Sequence, residues 1–150
     1  MSTPDGLHDT AIETHSDAGA YPATGNDLPI LHEIRHALQR LAQSGEKTVI
    51  DLQAIPMAPG EEERILQLLG RGEVSATIDA LGPSEVRETA FAGVWTVYHR
   101  NTNNELVGKF IEITHCPDLL HSQPEDIATG MAQIGETLAE LESKQSGDQA

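Results

Sequence analysis

The sequence predicts an α+β fold: a mainly antiparallel sheet, with a meander of about four strands plus one earlier strand, packed with three helices. Three observations predict it. Apolar residues recur at helical spacing in two stretches before residue 70 and again after residue 122. Between Val74 and His115 the period shortens to that of strands, broken by turn residues. The helical stretches flank this block instead of alternating with each strand, and short consecutive strands with tight connections favour an antiparallel meander.

The first helix has Asn26 or Asp27 for a cap and Pro29 in its first turn, where a missing N–H costs nothing. Leu31, Ile34, Leu38 and Leu41 then form one face, and Gly45 ends it. Thr48–Leu52 reads as a strand. A short helix follows Pro59-Gly60, with Glu61, Glu62 and Glu63 in the first turn, where the helix dipole favours acids. Its buried side is Ile65, Leu66, Leu68 and Leu69, and Gly70 and Gly72 stop it.

Four strands come next: Val74–Ala80, Val86–Phe91, Val94–Arg100 and Leu106–Thr114. They are separated by Gly82-Pro83, Ala92-Gly93 and Asn101-Thr102-Asn103-Asn104, all good turn chemistry. The third helix opens at Ser122-Gln123-Pro124-Glu125, an S-x-x-E capping box. Ile127, Met131, Ile134, Leu138 and Leu141 make its inner face. No internal repeat, Gly-rich phosphate loop or coiled coil of useful length occurs.

Residues 1–27 show no periodic apolar face and read as a disordered acidic tail. The α+β domain spans 28–143, and 144–150 reads as a second disordered tail. Charge is uneven as well. The chain carries 9 Lys+Arg against 24 Asp+Glu, a net charge of −15. Most of it would repel a phosphate backbone or an anionic bilayer, which argues against nucleic-acid and membrane-surface partners. No apolar run reaches the roughly 18 residues of a spanning helix. The start lacks the basic and apolar stretches of a secretory signal, and Cys116 is the sole cysteine. Together these predict a cytoplasmic protein.

The loudest motif is His32-Glu33-Ile34-Arg35-His36, an H-E-x-x-H on a helix. In a zincin the two His ligate zinc and the Glu activates the bound water. At 100° per residue, however, His32 and His36 point roughly opposite to the apolar stripe. No H-x-x-G-x-x-H extension supplies a third ligand. A solvent-facing helix surface explains the motif better. A second cluster, His115-Cys116-Pro117-Asp118 with His121, holds soft and borderline metal ligands, but its spacing matches no structural zinc signature. A strand-to-helix connector explains it, and Cys116 lacks a matched base for a nucleophile's role. The Glu61–Glu63 run reads as a solvated helix start rather than a paired-carboxylate site.

The sheet carries Arg87, Glu88, Trp95 and His99 among apolar residues, and these polar groups cannot all be buried unpaired. Part of one sheet face or its rim is therefore expected to stay accessible to a partner, with these four as the candidate contacts. For Trp95 two readings stand, core residue or interface anchor.

Several stretches carry a family resemblance. They are Leu31–Leu38 with Thr48–Leu52, Gly70-Arg71-Gly72-Glu73-Val74, and Gly82-Pro83-Ser84-Glu85-Val86-Arg87-Glu88-Thr89. Gly93-Val94-Trp95-Thr96-Val97-Tyr98-His99, Phe110-Ile111-Glu112-Ile113, Pro117, Gln123 and Glu125-Asp126-Ile127 continue it. The set resembles the conserved C-terminal region of the HupH/HyaF proteins, accessory factors of nickel–iron uptake hydrogenases, and in length the short HupJ or HoxT type. The resemblance implies a non-enzymatic, chaperone-like role in hydrogenase maturation. It implies partners among the iron–sulfur small-subunit precursor, a rubredoxin-like protein and other accessory proteins. It brings no cofactor and no catalytic residues. The alternative is a zinc-dependent hydrolase built on His32, Glu33 and His36.

Overall fold

A computed structural model describes residues 25–149 of the chain. It has a five-stranded antiparallel sheet and three helices, the α+β architecture expected. Helix α1 (Asp27–Ser44) is followed by β1 (Thr48–Asp51), α2 (Glu61–Leu69), β2 (Ser75–Asp79), β3 (Pro83–Glu88), β4 (Val94–Arg100), β5 (Leu106–Ile113) and α3 (Pro124–Gly147). The sheet order is β1-β5-β4-β3-β2: a four-strand meander with the early strand β1 added beside β5.

Turn chemistry fixes the meander. Asp79 pairs with Pro83, so Ala80-Leu81-Gly82 is the loop, and Pro83 opens β3 instead of sitting in the turn. Gly82 has a φ of +112°, and a Cβ there would collide with the Arg100 carbonyl oxygen, so no side chain fits. β3 ends at Glu88, and Thr89–Phe91, expected at the end of this strand, belongs to the connection to β4.

The sheet buries both faces unequally. On one face, Ile50, Val94, Ile111 and Ile113 meet α1 and α2 in the main core. On the other, Val86, Trp95 and Val97 form a smaller cluster, with Ile78, Phe110 and Leu120 packed against it.

The buried side of α1 is Ile30, Ile34, Ala37 and Leu41, with Leu31 and Leu38 only partly buried. The expected face is thus turned toward Ile30 and Ala37, because α1 packs against α2 as well as β5. In α2 only Ile65, Leu69 and Glu61 are buried, and Leu68 is exposed. Glu61 departs from the expected solvated start. At 5% exposure its carboxylate accepts from the backbone N–H of Asn26 at 2.9 Å and of Ala58 at 3.1 Å, joining the starts of α1 and α2.

The largest departure is α3. None of its residues is buried, and the five apolar side chains expected on an inner face are between 51% and 72% exposed. Periodicity had marked the stripe correctly but not what covers it. The Ser122 capping box does not form: Gln123 occupies the N-cap position without a side-chain cap, and Pro124 supplies the first turn. The helix continues to Gly147, beyond the boundary drawn at residue 143. Extending an existing helix adds one hydrogen bond per residue fixed, and Lys144 favours the C-terminal dipole. The expected N-terminal tail lies mostly in residues 1–24, outside the described residues. Asp27, assigned to that tail, is buried in the first turn of α1, with Arg64 Nε 3.4 Å from its carboxylate.

Candidate interaction surface

The four candidate contact residues sit on the β3–β4 pair, and the register distributes them. Glu88 lies opposite Trp95, Arg87 opposite Thr96, and Ser84 opposite His99. Side chains alternate across a strand, so Trp95, His99 and Glu88 share the face of the smaller core, while Arg87 lies on the helix side with Thr96 and Tyr98. The structure therefore does not bring all four together.

Each has its own environment. Trp95 is 6% exposed, and its indole N–H donates to the Thr114 carbonyl at 3.1 Å. This is the core reading of Trp95. His99 is half-buried. Its Nδ1 lies 2.8 Å from the Ser84 hydroxyl, and its ring meets Phe110 edge-on at a centroid distance of 5.8 Å. The β-bulge between His99 and Arg100 follows directly. Glu88 accepts from the backbone N–H of Glu73 at 3.2 Å, and Arg87 pairs with Glu85 at 3.6 Å.

Two hollows border these residues. One, of about 310 Å³, lies where the C-terminal end of α2 meets the sheet, with Gly70, Arg71, Arg87, Glu88, Thr96 and Tyr98 in its wall. Tyr98 was not singled out by sequence. Burial, with the Glu62 carboxylate second, pushes its phenol up to about 12. Its hydroxyl thus stays protonated at neutral pH. Behind it, Lys109 Nζ holds Glu62 at 3.0 Å. The second hollow, of about 340 Å³, is walled by Leu38, Leu41, Gly93, Trp95, Glu88 and His115. Glu88 borders both hollows, and His99 borders neither.

Of the candidate metal ligands only His115 borders this region, in the wall of the second hollow. His32, Glu33 and His36 are exposed on the outer side of α1, as their helical phase predicts. His115 and His121 are exposed, and Cys116 is half-buried with its thiol 3.8 Å from the Pro117 carbonyl. Asp118 accepts from Lys47 Nζ at 2.7 Å, and that hydrogen bond holds its carboxyl below the usual range. Burial, then Asp118, raises neighbouring Glu112. Among the described residues no three His, Cys, Asp or Glu side chains converge as a metal site would require. No described helix is long and apolar enough to cross a membrane.

The similarity of this chain to known proteins covers the sheet, α1, α2 and most of α3. Residues 24–141 match the family described as HupH hydrogenase expression protein, C-terminal conserved region. The chain is 27% identical over 119 residues to the hydrogenase expression/formation protein HoxQ of Azotobacter vinelandii, covering 78% of this chain and 42% of that one. It is 26% identical over 123 residues to HoxQ of Cupriavidus necator, covering 81% and 44%. The chain thus spans less than half the length of these curated relatives. Among solved structures, hydrogenase expression protein HupH from Thiobacillus denitrificans is 41% identical with a TM-score of 0.75, covering 79% of this chain and 98% of that one.

Proposed function

We propose a function from one premise: the chain belongs to the HupH family of hydrogenase expression proteins. It serves as a non-enzymatic accessory factor in the maturation of a nickel–iron uptake hydrogenase, acting in the cytoplasm. Its client is the iron–sulfur small-subunit precursor, or a fellow accessory protein such as a rubredoxin-like one. The observation that carries this reading is the family match across residues 24–141, which includes every described sheet strand. The relatives' names, hydrogenase expression and formation proteins, point the same way.

The hollow beside Arg87 is the docking point on this reading. Arg71 and Arg87 both line this hollow on a strongly acidic chain, beside Glu88 and with the Arg87 guanidinium 3.6 Å from the Glu85 carboxylate. Guanidiniums and tyrosines are the side chains that anchor protein interfaces, through planar donors and large amphipathic area. The protonated Tyr98 hydroxyl adds a donor on the same wall. A client loop carrying carboxylates or free carbonyls fits this set of donors.

Co-expression of the tagged chain with a hydrogenase small-subunit precursor and its accessory proteins tests the reading. Capture of the precursor or an accessory protein is expected. The double variant Arg71→Glu/Arg87→Glu should lower recovery by more than about tenfold with an unchanged melting temperature. A wild-type chain that captures no hydrogenase or accessory polypeptide would overturn it.

A further inference from the structure

We propose that α3 pairs with α3 of a second copy of this chain, in parallel and in register, along the stripe Ile127, Met131, Ile134, Leu138 and Leu141. These residues recur at spacings of 4, 3, 4 and 3, so they occupy alternating d and a positions of a heptad. All five are more than half exposed, and α3 buries nothing against its own sheet.

Such a helix needs a cover. Gly130 and Gly135 interrupt its interior, each a poorer helix former than Ala. Helices in proteins draw most of their stability from packing an apolar face rather than from propensity. The exposed stripe amounts to about 500 Å² per copy, so self-pairing buries about 1,000 Å², the lower bound for a specific interface. Two heptads are short, and the pair is accordingly weak and concentration-dependent.

The flanks of the stripe select the occupant. In a parallel pair each g position faces the e position five residues later on the partner helix. Within the helix that rule sets Gly130 beside Gly135 and Thr137 beside Glu142 of the second copy. Two glycines meeting there let the helix backbones approach closely, and no like charges face each other. Glu125, Asp126, Glu136 and Glu140 all fall at b, c and f positions, away from the seam. The parallel register also sets each of the five apolar residues against itself. Along Pro124–Gly147 an acidic chain therefore meets its own copy with no like charges opposed, and Asp148, the next d position, is the C-cap beyond the helix.

Sedimentation of the full chain from about 5 to 200 µM reads the pairing directly. A concentration-dependent equilibrium between monomer and self-associated chain is expected, with Ile134→Glu/Leu138→Glu weakening it by more than about tenfold while the Trp95 fluorescence melt is unchanged. Leu141→Cys in a Cys116→Ser background should give a disulfide-linked dimer on oxidation with diamide, since the register sets position 141 against itself. A wild-type monomer at every concentration would overturn the proposal, including one with α3 folded back on its own sheet. So would an undiminished dimer in the double variant, and absence of the 141 cross-link would overturn the parallel register.

Discussion

Trp95 donates its indole hydrogen to the carbonyl oxygen of Thr114 at 3.1 Å, tying the start of β4 to the residue that follows β5. Both residues are buried, so the bond cannot be exchanged for water without opening the smaller core. Trp95→Ala should cost about 3–5 kcal/mol through lost packing. Trp95→Phe keeps most of the ring but orphans the Thr114 carbonyl, and should cost about 1–3 kcal/mol. Urea unfolding checks both. A change below 1 kcal/mol for the Ala variant would contradict the core assignment.

Glu61 links two helix starts through backbone N–H groups of Asn26 and Ala58. Removing a buried acceptor strands its donors, so Glu61→Ala should destabilise by about 2 kcal/mol or more. Glu61→Gln retains one carbonyl acceptor and should cost less. Paired denaturation curves at pH 7 give the comparison, and equal costs for the two variants would contradict the double-acceptor role.

Tyr98 gives the fold an alkaline limit. Its pKa rises from 10.0 unfolded to about 12 folded, chiefly through burial and then through Glu62. The native state therefore binds this proton more tightly than the unfolded chain does. The resulting stability is fully present below pH 10 and is lost as pH climbs toward 12. Wild type should lose stability across that window more steeply than Tyr98→Phe, measured by urea midpoints at successive pH values. Parallel pH profiles would show that Tyr98 does not sense its buried setting.

His32 and His36 project from the outer face of α1. The double variant His32→Ala/His36→Ala should shift stability by no more than about 0.5 kcal/mol, as exposed substitutions generally do. Thermal melting with metal analysis of the purified protein checks this. A loss of several kcal/mol, or a zinc ion lost with the histidines, would contradict a plain solvent-facing surface.

Much of the fold was legible because local patterns determine it. Alternation along Val94–Arg100 marked β4 to the residue, and Gly45 marked the end of α1. The pattern does not say what covers an apolar stripe, which is why α3 was expected on the core and lies off it. Nor does it reveal partners distant in sequence. Glu61 looked like one acid in a run of three until the start of α1 was brought to it, 35 residues away in sequence. Arg87, Glu88, Trp95 and His99 were legible as polar groups on a sheet, but the register divides them between its two faces. Tyr98 joins Arg87 only through strand pairing and the position of α2, which no local signal encodes.

The accessory role is tested most directly by hydrogen uptake in the native host after deletion of the gene for this chain, normalised to hydrogenase polypeptide. Uptake should fall while unprocessed small subunit accumulates. Both the wild-type gene and the His32→Ala/His36→Ala variant should restore it, since those histidines take no part. Unchanged uptake and normal small-subunit processing in the deletion strain would contradict the account, and failure of the histidine variant alone would return the H-E-x-x-H helix to the centre of the function.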